Sequence, residues 1–189
     1  LDLDLLFRFR RLHRESPHDP MSTVKAFQEK EMPIIVANLQ RLGFTYSYYP
    51  GMRVVDIGAG LGESMHMFEI LGVPIVDMVG YETDPLLCSK AEPPYRDHIH
   101  CSALSFDDYV DYVGKRYFIK MDCEGCEKDY LFRLWPTGGL VSVHSWVKGH
   151  EELGYEMMRA GWIPVFHSYD WREITYYRAI REPSLFTRK

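Results

Sequence analysis

The fold of this chain is decided by residues 54–63, Val54-Val55-Asp56-Ile57-Gly58-Ala59-Gly60-Leu61-Gly62-Glu63. Apolar residues typical of a buried strand lead into an acid and a glycine-rich turn, and a helical pattern begins at Glu63. A second apolar run further along, Val79-Gly80-Tyr81-Glu82, also ends on an acid. A strand, a glycine-rich turn and a helix, followed by a second strand with an acid at its end, indicate a nucleotide-type binding site.

The charges in this stretch indicate which nucleotide the site binds. Glu63 stands where a dinucleotide fingerprint has its third glycine, and the Asp56 carboxylate would repel a pyrophosphate. S-adenosylmethionine (SAM) instead carries an ammonium and a sulfonium, which an acid attracts. We therefore expect Asp56 to face the methionine end, the amides of residues 58–62 to lie under the ligand, and Glu82 to accept hydrogen bonds from the ribose hydroxyls.

Ligands of such sheets bind at the carboxyl ends of the parallel strands, so the predicted cofactor site is taken from those ends. The predicted cofactor-binding residues are Asp56, Gly58, Ala59, Gly60, Gly62, Glu82, Thr83, Ser102, Ala103 and Asp122.

The composition is that of one compact globular domain. The chain has 189 residues, of which 46% are hydrophobic, and its net charge of −5 does not favour a nucleic-acid partner. We expect no membrane segment, because no apolar run approaches the roughly 18 residues that a spanning helix needs. Cys88, Cys101, Cys123 and Cys126 lack paired metal-ligand spacing, so we expect reduced, packed thiols and a cytoplasmic protein.

The chain divides into a lead-in or cap over residues 1–50, with a helix predicted from Ser22 to Arg41, and a domain over residues 51–189. The predicted strands are Arg53–Ile57, Asp77–Tyr81, Ile99–Cys101, Tyr117–Met121, Gly139–His144, Ile163–His167 and Glu173–Ala179. The predicted helices between them are Glu63–Leu71, Pro85–Ala91, Phe106–Val113, Lys128–Leu134 and Glu151–Ala160. This alternation predicts an α/β fold, a mostly parallel seven-stranded sheet with helices on both faces. A short turn joins the last two strands, which predicts an antiparallel edge hairpin.

Four segments carry a resemblance to the FkbM-like family of class I SAM-dependent methyltransferases, whose fold is Rossmann-like. They are Val55-Asp56-Ile57-Gly58-Ala59, Tyr81-Glu82-Thr83-Asp84-Pro85, Lys120-Met121-Asp122-Cys123-Glu124-Gly125-Cys126-Glu127 and Ser142-Val143-His144. The resemblance covers residues 53–165. Gly60 stands where the family usually has Asn, and Ser142 stands where it often has Glu.

The resemblance implies O-methylation of a hydroxyl on a small-molecule or glycan acceptor, such as a sugar. His144 is the candidate base because its ordinary pKa lies at about 6.5. Asp122 and Glu124 would orient the acceptor or His144, and buried acids of this kind need a cation or donor. These three side chains could also hold a divalent metal, although none is predicted.

Other functions remain open at this stage. A methyltransferase acting on RNA or protein is one alternative. A methyltransferase-fold module that binds SAM or a partner protein without catalysis is another. Retention of the acids and His144 at the strand ends favours the enzyme.

Overall fold

The computed structural model of the protein describes residues 26–44, 51–168 and 172–180. Most of the predicted lead-in over residues 1–50, including the start of the helix predicted from Ser22, lies outside the described residues, as do residues 169–171 and 181–189.

In the described residues, seven strands form one mixed sheet, in the order β3-β2-β1-β4-β5-β7-β6. The strands are β1 (Val54–Ile57), β2 (Met78–Tyr81), β3 (Ile99–His100), β4 (Phe118–Met121), β5 (Gly139–His144), β6 (Ile163–Ser168) and β7 (Glu173–Arg178). Strands β1 to β5 pair in parallel, whereas β7 is antiparallel to both β5 and β6. The predicted sheet with its antiparallel edge hairpin is therefore confirmed.

Helices cover both faces of this sheet. They are α1 (Met32–Arg41), α2 (Glu63–Ile70), α3 (Pro85–Lys90), α4 (Phe106–Gly114), α5 (Glu127–Leu131) and α6 (His150–Arg159). Successive strand residues point to opposite faces. In β1, Val54 packs with the apolar side chains of α1 and α2, while Val55 packs with those of α4, α5 and α6. In the described residues, no helix is both long and apolar enough to cross a membrane.

A π-helical turn, Phe27–Glu31, precedes α1. Proline has no backbone N–H, so it cannot donate the helical hydrogen bond to the carbonyl four residues earlier. Pro33 accordingly stands in the first turn of α1, and the amide of Met32 donates to the carbonyl of Phe27, five residues earlier. This turn places Glu31 directly before the first residue of α1.

The four cysteines form two disulfides. Cys88 in α3 is bonded to Cys101 after β3, and Cys123 is bonded to Cys126 in the loop between β4 and α5. The prediction of reduced thiols is therefore wrong, because the fold brings each pair within bonding distance. The cysteines no longer support a cytoplasmic location, since disulfides persist mainly in oxidising compartments.

Candidate functional site

A cavity of about 520 Å³ opens at the carboxyl ends of the parallel strands. Most of the predicted site residues line it: Gly58, Gly60, Glu82, Thr83, Ser102, Ala103, Asp122, Glu124 and His144. Several lining residues were not predicted from the sequence, among them Glu31, Glu63, Lys120, Tyr130 and Glu173. Asp56, Ala59 and Gly62 were predicted as cofactor-binding residues but do not line the cavity.

Asp56 lies beneath the cavity and contacts other protein groups. The parallel pairing of β1 with β4 places Asp56 directly beside Lys120, and the carboxylate Oδ1 lies 2.9 Å from the ammonium Nζ. Ser64 donates a hydrogen bond to the other oxygen of Asp56, which is fully buried. The structure thus places Asp56 outside the cavity lining, with its charge balanced inside the protein, whereas the sequence predicts that it faces the methionine end of a ligand.

Lys120 joins this ion pair to the glycine turn. Its ammonium also donates to the carbonyl oxygen of Gly58 at 2.9 Å. Burial alone would lower the pKa of Lys120, but the carboxylates of Asp56 and Asp122 outweigh burial and raise it. Burial raises the pKa of Asp56, and Lys120 opposes that rise. The pair fixes the end of β4 against the turn that follows β1.

The amides of the glycine turn all donate to protein acceptors. The amides of Gly58 and Ala59 donate to Tyr81 O, that of Gly60 to Glu82, that of Leu61 to Glu63, and that of Gly62 to Ala59 O. The sequence predicts that these amides lie under a ligand. In the structure these hydrogen bonds fix the conformation of the turn. The cavity is bounded by the turn and by Glu63 and Glu82, whose carboxylates accept from its amides.

Packing explains two of the glycines. Gly58 has φ +79°, and a Cβ there would overlap the carbonyl oxygen of Asp122, where the turn passes the end of β4. A Cβ on Gly62 would lie 2.5 Å from the Cβ of Tyr95. Both positions thus require glycine because neighbouring protein groups pass close to the turn.

Glu82 lies at the end of β2 and lines the cavity. Its carboxylate accepts from the amides of Gly60 at 2.8 Å and Asp84 at 2.7 Å, and the residue is 8% exposed. These bonds hold the side chain in one orientation. A carboxylate has about four acceptor positions, so two amide donors leave it able to accept from ligand hydroxyls.

The loop from β4 to α5 is held by the disulfide and by Glu127. Glu127 is the first residue of α5, one residue before the predicted start, and it is fully buried and accepts from the amides of Cys123 and Gly125, each at 2.7 Å. Its carboxylate also lies 3.3 Å from Nε2 of His150. Glu124, with φ +54°, lies at the exposed rim, and burial and the charge of Asp122 raise its pKa.

His144, at the end of β5, is paired with Asp122, at the end of β4. Its Nε2 lies 2.9 Å from Oδ1 of Asp122, and its backbone amide donates to Nδ1 of His150. Burial alone would lower the pKa of His144, but the hydrogen bond to Asp122 outweighs burial and raises the pKa to about 9. Burial would raise the pKa of Asp122, yet His144 and Lys120 lower it. His144 and Asp122 thus form a strongly coupled imidazole–carboxylate pair.

The second ring nitrogen of His144 is buried without a partner. Within the described residues, Nδ1 makes no hydrogen bond. The Asp122 carboxylate favours the tautomer with a proton on Nε2, which leaves the lone pair on Nδ1. His144 lines the cavity, and in this tautomer Nδ1 is the ring nitrogen whose lone pair is free to accept a proton.

Two further acids lie near this pair. Glu173 in β7 is the cross-strand neighbour of His144, and Glu31 comes from the π-helical turn before α1. Burial, followed by the charges of Glu173 and Asp122, raises the pKa of Glu31 to about 8. Burial and Asp122 likewise raise the pKa of Glu173.

No three His, Cys, Asp or Glu side chains in the described ranges are arranged to hold a metal ion. The alternative of a divalent metal at Asp122, Glu124 and His144 therefore gains no support from the geometry.

No protein-family model and no curated protein sequence matches this chain. Its structure resembles a protein assigned as a caffeoyl-CoA O-methyltransferase from Staphylococcus aureus, with a TM-score of 0.52 and 11% identity over 93% of this chain and 99% of that one. It also resembles the CurJ carbon methyltransferase, with a TM-score of 0.50 and 11% identity over 84% of this chain and 58% of that one. The protein has the Rossmann-like fold of class I methyltransferases.

Lys120 is a site residue that the sequence reasoning overlooked although a signal was present. A lysine inside an apolar strand is almost never buried without a partner. Lys120 stands two residues before Asp122 in such a strand, and the parallel register sets it beside Asp56. Lys120, the first residue of the segment Lys120–Glu127, is therefore a cation of the kind that buried acids need.

Proposed function

We propose that the protein is a SAM-dependent methyltransferase that methylates a hydroxyl of a sugar or another small metabolite. The observation that carries the proposal is one cavity that joins two groups of side chains. Glu82 lies at the end of β2, and the His144–Asp122 pair lies at the ends of β4 and β5.

The cavity fits SAM in size and charge. Its volume of about 520 Å³ falls within the usual range for small-molecule sites. Its lining is rich in carboxylates, which suits a ligand with an ammonium and a sulfonium. The residues that would hold SAM are Gly58, Gly60, Glu82, Thr83, Ser102 and Ala103. When bound, SAM supplies a methyl group attached to sulfur, whose departure leaves a neutral thioether.

The protein's own contribution is alignment of the acceptor and removal of its proton. Asp122 holds the proton of His144 on Nε2, so Nδ1 receives the proton of the acceptor hydroxyl. Because the pKa of His144 is about 9, most of the imidazole is protonated at pH 7. Only the neutral imidazole can accept the acceptor's proton, so kcat/KM should rise with pH up to about 9.

The FkbM-like resemblance supports an O-methyltransferase within this fold. The family often has Glu where this chain has Ser142, and here Glu173 supplies an acid close to that position. The hydroxyl of Ser142 lies 3.1 Å from that of Thr175, which donates a hydrogen bond to Glu173. An acid therefore reaches this end of the cavity from β7 even though β5 carries Ser142.

Calorimetry with SAM and with S-adenosylhomocysteine tests the cofactor. We expect micromolar binding of both and at least tenfold weaker binding by Glu82→Gln. Failure of the wild type to bind either ligand would refute the proposal.

Labelled SAM, offered with a panel of sugars and other hydroxyl compounds, tests the chemistry. We expect His144→Asn to bind SAM but to lose about 10²–10⁴-fold in kcat/KM. The exposed His167 on edge strand β6 offers a matched control, His167→Asn, which should keep wild-type turnover. SAM binding without turnover on any acceptor would favour the non-catalytic module instead.

A further inference from the structure

The cavity has two ends that differ in their origin. One end is formed by β1, β2 and β3, which carry the proposed SAM-binding residues. The other end is formed by β4, β5, β7 and the turn before α1, and it contains Asp122, His144, Glu173 and Glu31. Once SAM occupies the first end, the second is the place left for the acceptor.

Acids dominate the lining of this cavity. Among the described residues, seven carboxylates line it, namely Glu31, Glu63, Glu82, Asp84, Asp122, Glu124 and Glu173, against the two basic side chains Lys120 and His144. Both basic groups already have carboxylate partners, since Lys120 contacts Asp56 and His144 contacts Asp122. The acceptor end therefore has more negative groups than the described chain balances.

Glu31 and Glu173 are the buried acids at the acceptor end that have no balancing cation within the described residues. They are 6% and 7% exposed, and within the described residues neither forms an ion pair. Ser142 and Thr175 hydrogen-bond Glu173. The carboxyl of Glu31 has no hydrogen-bond partner within the described residues, although it is more than nine-tenths buried and lines the cavity. Ionised carboxyls buried in this way are costly unless a cation meets them.

An organic cation fits this arrangement better than a metal ion. A metal needs several ligands converging on one point at about 2.0–2.6 Å. The described residues contain no such group of three. A protonated amine has up to three N–H donors that diverge, so it can bind carboxyls that approach from different elements.

We propose that the acceptor is a hydroxyl compound that also carries a protonated amine, and that Glu31 and Glu173 bind its ammonium while Nδ1 of His144 faces its hydroxyl. This inference rests on the proposed methyltransferase function. The carboxylates keep the amine protonated, which occupies its lone pair, so the methyl group goes to oxygen and the hydroxyl proton goes to His144.

The pKa of Glu31, about 8, gives this site a pH signature. Burial, Glu173 and Asp122 raise that pKa, while His144 and Lys30 oppose the rise. At pH 6 to 7 the Glu31 carboxyl is mostly protonated, so binding an ammonium must displace its proton. The affinity for a cation should therefore increase by up to about tenfold per pH unit below pH 8.

The test uses the full chain saturated with S-adenosylhomocysteine and three probes of one carbon skeleton. Serinol is cationic, glycerol is neutral and glycerate is anionic. Titrations followed by ¹H–¹⁵N spectra give each dissociation constant at pH 6.0, 6.5, 7.0 and 7.5. We expect serinol to bind at least tenfold more tightly than the other two at pH 7, and more tightly as the pH rises.

Variants assign the effect to the two acids. Glu31→Gln and Glu173→Gln should each weaken serinol binding at least tenfold, with glycerol binding unchanged, and Glu31→Gln should also reduce the pH dependence, with the remainder due to Glu173. The matched control is Glu152→Gln, at an exposed position on α6, which should behave as the wild type. If either variant does not fold, the pH dependence of the wild type still decides.

Equal binding of the three probes, no binding of serinol, or serinol binding that is independent of pH would overturn the inference. In each case S-adenosylhomocysteine binding would leave the proposed function standing. Loss of that binding as well would overturn both.

Discussion

Replacing Lys120 should destabilise the protein in a pH-dependent way. Lys120→Met keeps the length and apolar stem of the side chain but removes the ammonium that lies 2.9 Å from both Asp56 Oδ1 and Gly58 O. Asp56 is then a fully buried carboxylate without a cation. Removing one partner of a buried ion pair typically costs about 3–5 kcal/mol.

The fate of Asp56 sets the magnitude and its pH dependence. In the variant, Asp56 can avoid a buried charge by taking up a proton, which at pH 7 costs at most about 4 kcal/mol relative to an ordinary carboxyl with pKa near 3.9. That cost falls by about 1.4 kcal/mol for each unit that the pH is lowered. The lost hydrogen bond to Gly58 adds a part that does not depend on pH.

Urea unfolding followed by tryptophan fluorescence at pH 7.5, 6.5 and 5.5 measures this effect. The double variant Lys120→Met/Asp56→Asn should recover the pH-dependent part. Lys115→Met is a matched control, because Lys115 pairs with Asp111 on the exposed surface and should unfold as the wild type does. If Lys120→Met costs no more than Lys115→Met, or costs the same at all three pH values, the reasoning about the buried pair is refuted.

Three other predictions concern the same region and the disulfides. Asp122→Asn should shift the rising limb of the pH profile of kcat/KM from about 9 to lower pH, because the carboxylate that contributes most to raising the pKa of His144 is lost while burial still lowers that pKa; an unchanged profile would contradict the pairing. Glu127→Gln should lower the free energy of unfolding by about 2–4 kcal/mol in urea titrations. Each carboxylate oxygen of Glu127 accepts from one backbone amide, and in glutamine an NH₂ group replaces one of these oxygens in a buried site. Replacing Cys88 and Cys101 together by Ser should cost about 3 kcal/mol, because their disulfide closes a loop of 13 residues; wild-type stability under reducing and oxidising conditions alike would argue against that bond.

The sequence predicted the sheet well because its strands are short apolar runs bounded by polar turns. The predicted bounds of β5, Gly139–His144, coincide with the observed ones, and β1 differs only by Arg53 at its start. The disulfides were missed because spacing along the chain does not show which cysteines meet. Cys88 and Cys101 become neighbours only when α3 packs near the end of β3.

The site was predicted where it depends on strand ends and missed where it depends on packing. Glu82, Asp122 and His144 follow directly from the rule that parallel strands share one functional edge. Glu173 belongs to an antiparallel strand, so its place at the same edge follows only from its register opposite His144. Glu31 could not be predicted, because its place in the cavity depends on how the turn before α1 packs against the sheet.

The negative charge that favours a cationic ligand comes from residues other than Asp56. The sequence predicts Asp56 as the acid that attracts the ligand, but the ammonium of Lys120 lies 2.9 Å from its carboxylate below the cavity. Glu31 and Glu173, which have no such partner in the described residues, now carry the argument for a cation at the acceptor end. The preference for a positively charged ligand thus survives with different residues.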